Sequence, residues 1–299
     1  MNTLLFKWSC GVLVGSLLWI GSARAAEVDP QAELLQQYQQ AAERGDAEAQ
    51  NNLGLMYYEG QGVPKDLRLA ENWFRKAAGQ GNAIAQQNLG LMYEQGQGMS
   101  QDFRMAERWL RKAAEKGLAK SQHALAVLYK KGQGVPQDFQ EAAKWYRKAA
   151  EQGDPEAQNN LGLMHELGQG VPRSVEEAMQ WYRRAAEAGS PVAKNNLGVL
   201  YKKGNGVLQD YQEAERWFRE AAEQGYATAQ FHLGMMFRNG QGVGQESVQA
   251  HMWLNLAASQ GDENAIRERD LLARIMTPEE IAQAQELARQ WRPKNASGF

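Results

Sequence analysis

Apolar residues along this chain fall on two alternating stripes, each with the 3.6-residue period of a helix that has one dry face and one wet one. In one kind of segment Ala49, Leu53, Met56 and Tyr57 stand at i, i+4, i+7 and i+8. The same stripe returns as Ala85, Leu89, Met92 and Tyr93, and as Ala157, Leu161, Met164 and His165. In the other kind, Ala70, Trp73, Phe74, Ala77 and Ala78 form the stripe, and Glu71, Arg75 and Lys76 are left for water. The pair of stripes recurs every 36 residues without insertion. Glycine marks the period at Gly45, Gly81, Gly117, Gly153, Gly189, Gly225 and Gly261, and tryptophan at Trp73, Trp109, Trp145, Trp181, Trp217 and Trp253.

Between the stripes the chain carries its own punctuation. Gly60-Gln61-Gly62-Val63-Pro64 ends the first helix, since glycine takes the left-handed cap conformation and proline cannot continue a helix. The stop returns at Gly96, Gly132, Gly168, Gly204 and Gly240. Asp66, Asp102, Asp138, Ser174 and Asp210 then stand where an N-cap is wanted, with capping-box spacing to Glu141 and Glu177 in two units. Inside the first helix, Gly54 and its counterparts Gly90, Gly162, Gly198 and Gly234 cost about 1 kcal/mol each relative to alanine. Close approach of a neighbouring helix is the expected offset, and Ala126 shows that one methyl group is tolerated.

A hairpin of this kind cannot cover its own apolar face, but a stack of them can. The predicted fold is therefore all-α: a solenoid of six helix-turn-helix units, 45–80, 81–116, 117–152, 153–188, 189–224 and 225–260. An N-terminal half-repeat (26–44) and C-terminal capping helices with a tail (261–299) close the ends. Thr277-Pro278-Glu279-Glu280 supplies cap, N1 proline and N3 glutamate for a last helix running to about Trp291.

Residues 1–25 differ in kind. Lys7 precedes an apolar run from Cys10 to Ile20, and Ala23-Arg24-Ala25 follows with the small-residue spacing of a secretory cleavage site. The run is shorter than the roughly 20 residues of a spanning helix. The expectation is a cleaved signal peptide, a periplasmic or secreted product, and no stable membrane insertion afterwards. Cys10 is the only cysteine, so the processed chain has none for a disulfide or a thiolate site. The near balance of 33 basic and 35 acidic residues disfavours nucleic acid as a partner.

Candidate chemistry is sparse. His123, His165, His232 and His251 have no i, i+4 pairing of the metalloprotease kind, and the Gly-x-Gly turns follow helices where a phosphate cradle would follow a strand. No Gly-x-Ser-x-Gly elbow is present. The expectation is no cofactor, no metal and no enzyme activity.

The string Ala-Gln-x-Asn-Leu-Gly-x-Met-Tyr, then Gly-x-Gly-Val-Pro-x-Asp, then Ala-x-x-Trp-Phe/Tyr-Arg-Lys-Ala-Ala-Glu-x-Gly resembles the Sel-like (SLR) repeat family, relatives of the tetratricopeptide repeats, over about residues 45–260. The resemblance implies a right-handed superhelix whose first helices line a concave surface and hold a protein or peptide partner. A cysteine-rich branch of that family is associated with penicillin binding or β-lactamase activity, and this chain lacks those cysteines. A cell-wall enzyme or glycan-binding envelope protein is the alternative reading, and the tryptophans are assigned to the core. By analogy with tetratricopeptide grooves, partner-binding positions are Asn51, Gln87, His123, Asn159, Asn195 and Phe231, and one turn on Leu55, Leu91, Val127, Leu163, Val199 and Met235. Lys130, Lys131, Lys202, Lys203 and Arg238 would make the later part of that groove basic, while Glu59 and Glu94 lie early. A monomer is expected.

Overall fold

The computed structural model describes residues 30–294, and the signal-peptide assignment lies outside them. Fifteen helices and no strand occur among the described residues. α1 (Pro30–Glu43) precedes the first helix pair and packs on α2. Six first helices follow: α2 (Ala47–Glu59), α4 (Ala83–Gln95), α6 (Ala119–Lys131), α8 (Pro155–Leu167), α10 (Pro191–Lys203) and α12 (Ala227–Asn239). They alternate with six second helices: α3 (Leu67–Gly79), α5 (Phe103–Glu115), α7 (Phe139–Glu151), α9 (Val175–Glu187), α11 (Tyr211–Glu223) and α13 (Ser247–Ser259). α14 (Glu263–Ala273) and α15 (Pro278–Gln290) complete the chain. Each helix packs chiefly on those before and after it, which is the quasi-one-dimensional arrangement of a solenoid.

The helix ends obey the local chemistry. Asp66, Asp102, Asp138 and Asp210 each accept two backbone N–H bonds at the start of a second helix. At Asp138 and Ser174 the forward bond to the residue three on is formed. The full reciprocal box is found at Thr277 and Glu280, opening α15 behind Pro278. Every first helix ends on a left-handed glycine, as at Gly60 with φ 79°.

The helical glycines receive the close neighbour their sequence position demands. A Cβ on Gly54 would meet the Phe74 ring at 2.7 Å, and one on Gly162 would meet the Tyr182 ring at 2.8 Å, so the second helix of the same unit lies on the bare backbone of the first. The second glycine of each turn has a separate task. A Cβ on Gly134 (φ +76°) would come within 2.3 Å of the Phe103 carbonyl, at the head of the preceding unit's second helix. Gly170 stands in the same way against Phe139, and Gly242 against Tyr211. The Gly-x-Gly turn is thus both a helix stop and a joint between units.

Alanine, leucine and the ring at the Phe74, Tyr146, Tyr182 and Phe218 position fill the interior. Trp109, Trp145, Trp181 and Trp253 are 4–9% exposed, while Trp73 and Trp217 are partly covered. A cation lies over most of these rings: Lys76, Lys112 and Lys148 at 4.0, 4.4 and 4.1 Å, Arg184 at 4.7 Å and Arg216 at 4.3 Å. Trp253 has no such lysine or arginine three residues on. There Trp291, at the end of α15, packs edge-on at 6.3 Å. The chain after it is tied back by the Lys294 ammonium 2.8 Å from Glu223.

A half-exposed row on the first-helix face

In five of the six units glutamine at the fourth position of the first helix binds the unit to the one before; the fifth has Lys194 there. The side-chain amides of Gln50, Gln86, Gln122, Gln158 and Gln230 donate to the carbonyls of Ala42, Ala78, Ala114, Ala150 and Ala222 at 3.0–3.2 Å. In three units a second glutamine, 30 residues on, donates to the free oxygen: Gln80 to Gln50, Gln152 to Gln122 and Gln260 to Gln230. Where that second position holds Lys116 or Ala188, the oxygens of Gln86 and Gln158 are buried without a partner.

Polar residues at the third, fifth and sixth positions link first helix to first helix. Asn88 donates to Asn51 at 3.3 Å, Ser121 to Gln87 at 3.1 Å and Asn196 to Asn159 at 2.9 Å. This corrects the groove assignment at its first row. Asn51, Gln87 and Asn195 are 3, 9 and 6% exposed, because side chains at this position point into the seam between neighbouring first helices. Asn159 is half-buried in the same kind of bond. His123 and Phe231, too large for the seam, remain partly exposed. His123 lies against Tyr146, with its Nδ1 3.6 Å from Glu156.

The second row stays open: Leu55, Leu91, Val127, Leu163, Val199 and Met235 are all half-exposed, one per unit. Of the predicted cations, Lys131 and Lys203 face solvent. The others are partly exposed and turn toward the next unit. Lys130 donates to Asn160 at 3.1 Å, and Arg238 pairs with Glu268. Lys202 stands near the half-buried His232. Burial, then the adjacent lysine, lowers the pKa of both Lys130 and Lys202. Burial and Lys202 push His232 down to about 4, with Asp262 opposing.

Glu94, placed early in the groove by the sequence, stands apart from its counterparts. At the equivalent position Tyr58 donates to Gln97, and Glu166 accepts from the Tyr182 hydroxyl at 2.9 Å. The Glu94 carboxylate instead lies opposite Ala124, 30 residues on, where Lys130 has Asn160 and Arg238 has Glu268. Burial raises its pKa, with Lys131 partly offsetting. Glu94 borders a cavity of about 540 Å³, walled by Tyr58, Leu91, Met92, His123, Val127 and their neighbours on α2, α3, α4, α6 and α8. The apolar side chain at position 124 was the available signal.

Among the described residues no cluster of three metal-ligating side chains occurs, and no helix is long and apolar enough to cross a membrane. What the residues build is a stacked helical scaffold with one filled side and one open row. The chain belongs to the Sel1 repeat family: six consecutive matches cover 47–82, 83–118, 119–154, 155–190, 191–226 and 227–262. Proteins of this family are in general protein-interaction scaffolds. The chain is similar to the structure of c5321 from uropathogenic Escherichia coli, a protective antigen displaying an SLR fold, at 38% identity and TM-score 0.77 over 85% of this chain. It spans 55% of that protein's length. A Sel1 repeat protein from Oxalobacter formigenes is similar at 34% identity and TM-score 0.67, over 76% of this chain and 97% of the other. Comparison with curated proteins gives no match.

Proposed function

We propose that this chain is an exported scaffold that holds an extended segment of a protein partner along its first-helix face. The observation that carries the reading is the contrast between the two sides of the stack. On the second helices the large rings are buried or capped by cations, whereas the first helices keep a continuous row of half-exposed apolar residues from Leu55 to Met235. The half-buried carboxylate of Glu94 and exposed ammonium groups at Lys131 and Lys203 give that row a polarity along its length. Export rests on the apolar run and the Ala23-Arg24-Ala25 spacing of the first 25 residues.

Photo-crosslinking residues placed at Leu91 and Leu163, and separately at the exposed Arg183 of α9, test the face. The same partner trapped from both first-helix positions and not from Arg183 is the expected result. Equal trapping from Arg183 overturns the assignment. Reversing the charge of Lys131 and Lys203 should weaken capture and flatten its salt dependence. Retention of the purified, tag-free chain on peptidoglycan, or turnover of a β-lactam, would favour the cell-wall reading. A mature N-terminus that is not Ala26 or Glu27 would remove the proposed cleavage site.

A further inference from the structure

We propose that the cavity bordered by Glu94 is an anchor pocket for one basic side chain, arginine above lysine, of the partner segment; this rests on the partner-binding reading of the first-helix face. Three independent features meet there. Glu94 ends α4 with its backbone carbonyl already accepting from Gln101 at 2.7 Å, so the turn does not depend on its carboxylate. That carboxylate faces a unit whose corresponding position is Ala124, and it is partly desolvated, with the charge of Lys131 only partly offsetting its burial. The cavity beside it, about 540 Å³, is of the size of small-ligand sites, which run to roughly 300–1,000 Å³.

The walls select the ligand. Leu91, Met92 and Val127 offer apolar contact to a methylene stem, and the stem of arginine or lysine packs on such surface while its charged end seeks a polar partner. Arginine is preferred to lysine because its planar guanidinium can pair bidentately with the Glu94 carboxylate, while the Tyr58 ring on the wall already carries the Lys65 ammonium at 5.6 Å. Asp154 and Glu156, at the head of α8, add negative charge to the rim, although Asp154 already accepts the Ala157 amide at 2.7 Å. Lys120 and Lys131 oppose the guest's charge. A charge-assisted bond to Glu94 in this half-dry site outweighs them because it is direct, while Lys131 acts across a longer distance.

The test uses the purified chain with methyl-labelled Leu, Val and Met, titrated with N-acetyl-arginine amide and with its neutral citrulline counterpart. Saturable shifts at Leu91, Met92 and Val127, at least fivefold weaker with citrulline, are expected. Glu94→Gln should bring arginine to the citrulline level. Glu94→Lys should abolish binding without unfolding the stack, since lysine occupies this position at Lys130 and Lys202. Equal response to arginine and citrulline, or unchanged arginine affinity in Glu94→Gln, overturns the pocket. Panning a random peptide library on the same chain separates this idea from the broader one. Peptides that cover the first-helix face but are indifferent to Glu94→Gln leave the groove standing and remove the pocket. Arginine binding that needs Glu94, with no peptide selected, does the reverse.

Discussion

The two sides of the stack solve different problems with the same period. Along the second helices nearly every unit repeats one device, a large ring on an alanine stripe with a lysine or arginine laid over it. Along the first helices the device changes from unit to unit: Asn88 bonds Asn51, Ser121 bonds Gln87, Lys130 bonds Asn160 and Arg238 bonds Glu268. Uniformity marks where stacking energy is concentrated. Variation marks where a unit meets either its particular neighbour or something outside the chain, and Glu94 opposite Ala124 is a place where the neighbour offers no polar partner.

The sharpest way to break this comparison is to truncate one residue on each side. Trp145→Ala should destabilise the chain by about 3–5 kcal/mol, as large core truncations do, read as a lowered denaturant midpoint. Val127→Ala, half-exposed on the other side, should cost well under half of that. Equal losses would mean that both faces carry the stack alike.

A second pair separates helix stop from inter-unit joint. Gly134→Ala must adopt φ +76° and push the Phe103 carbonyl away from 2.3 Å, so a loss of about 2–3 kcal/mol is expected. Gly153→Ala meets nothing within 4 Å and carries only the conformational penalty of φ +90°, about 1 kcal/mol. Thermal unfolding of the two variants gives the ranking directly.

The first-helix seam should also be the acid-sensitive side. His232 is held at about 4 in the folded chain, below the roughly 6.5 of an unfolded histidine. The unfolded state therefore binds more protons between those values. Stability from this group is complete above about pH 6.5 and is lost as pH falls toward 4, by about 1–3 kcal/mol. Burial lowers His165 on the first helix α8 in the same direction. His232→Asn, which installs the residue of Asn160 and Asn196, should flatten that slope in denaturation series between pH 7 and pH 4.

The smallest expected effect is a gain. Ala188→Gln would give the orphaned Gln158 oxygen the partner that Gln152 gives Gln122, and about 0.5–1.5 kcal/mol of added stability should follow. No change in melting temperature would mean that the glutamine pairs are incidental to the seam.

Much of this was readable from the chain alone. Helix faces, glycine stops, aspartate caps and the atypical ends follow from spacing within about eight residues, where local geometry leaves few choices. The close partner for Gly54 was foreseeable too, because a bare mid-helix backbone is costly unless something packs on it. The groove positions were less accessible. The analogy with tetratricopeptide grooves that points to Asn51, Gln87 and Asn195 does not say which side chains the next unit covers. For Asn51 and Gln87 burial comes with pairing to residues 37 and 34 positions distant, a relation that depends on how far one unit is offset against the next.

What the sequence by itself determined is the unit: two amphipathic helices, their ends and their number, because periodicity and capping are local properties of neighbouring residues. What only the tertiary structure decided is the offset between units. That offset sets Gly134 on Phe103, Trp291 on Trp253 and Lys130 on Asn160, and leaves Glu94 facing an alanine. Each of these contacts joins residues about 30 or more positions apart, and packing of whole helices, with no local rule to fix it in advance, brings them together.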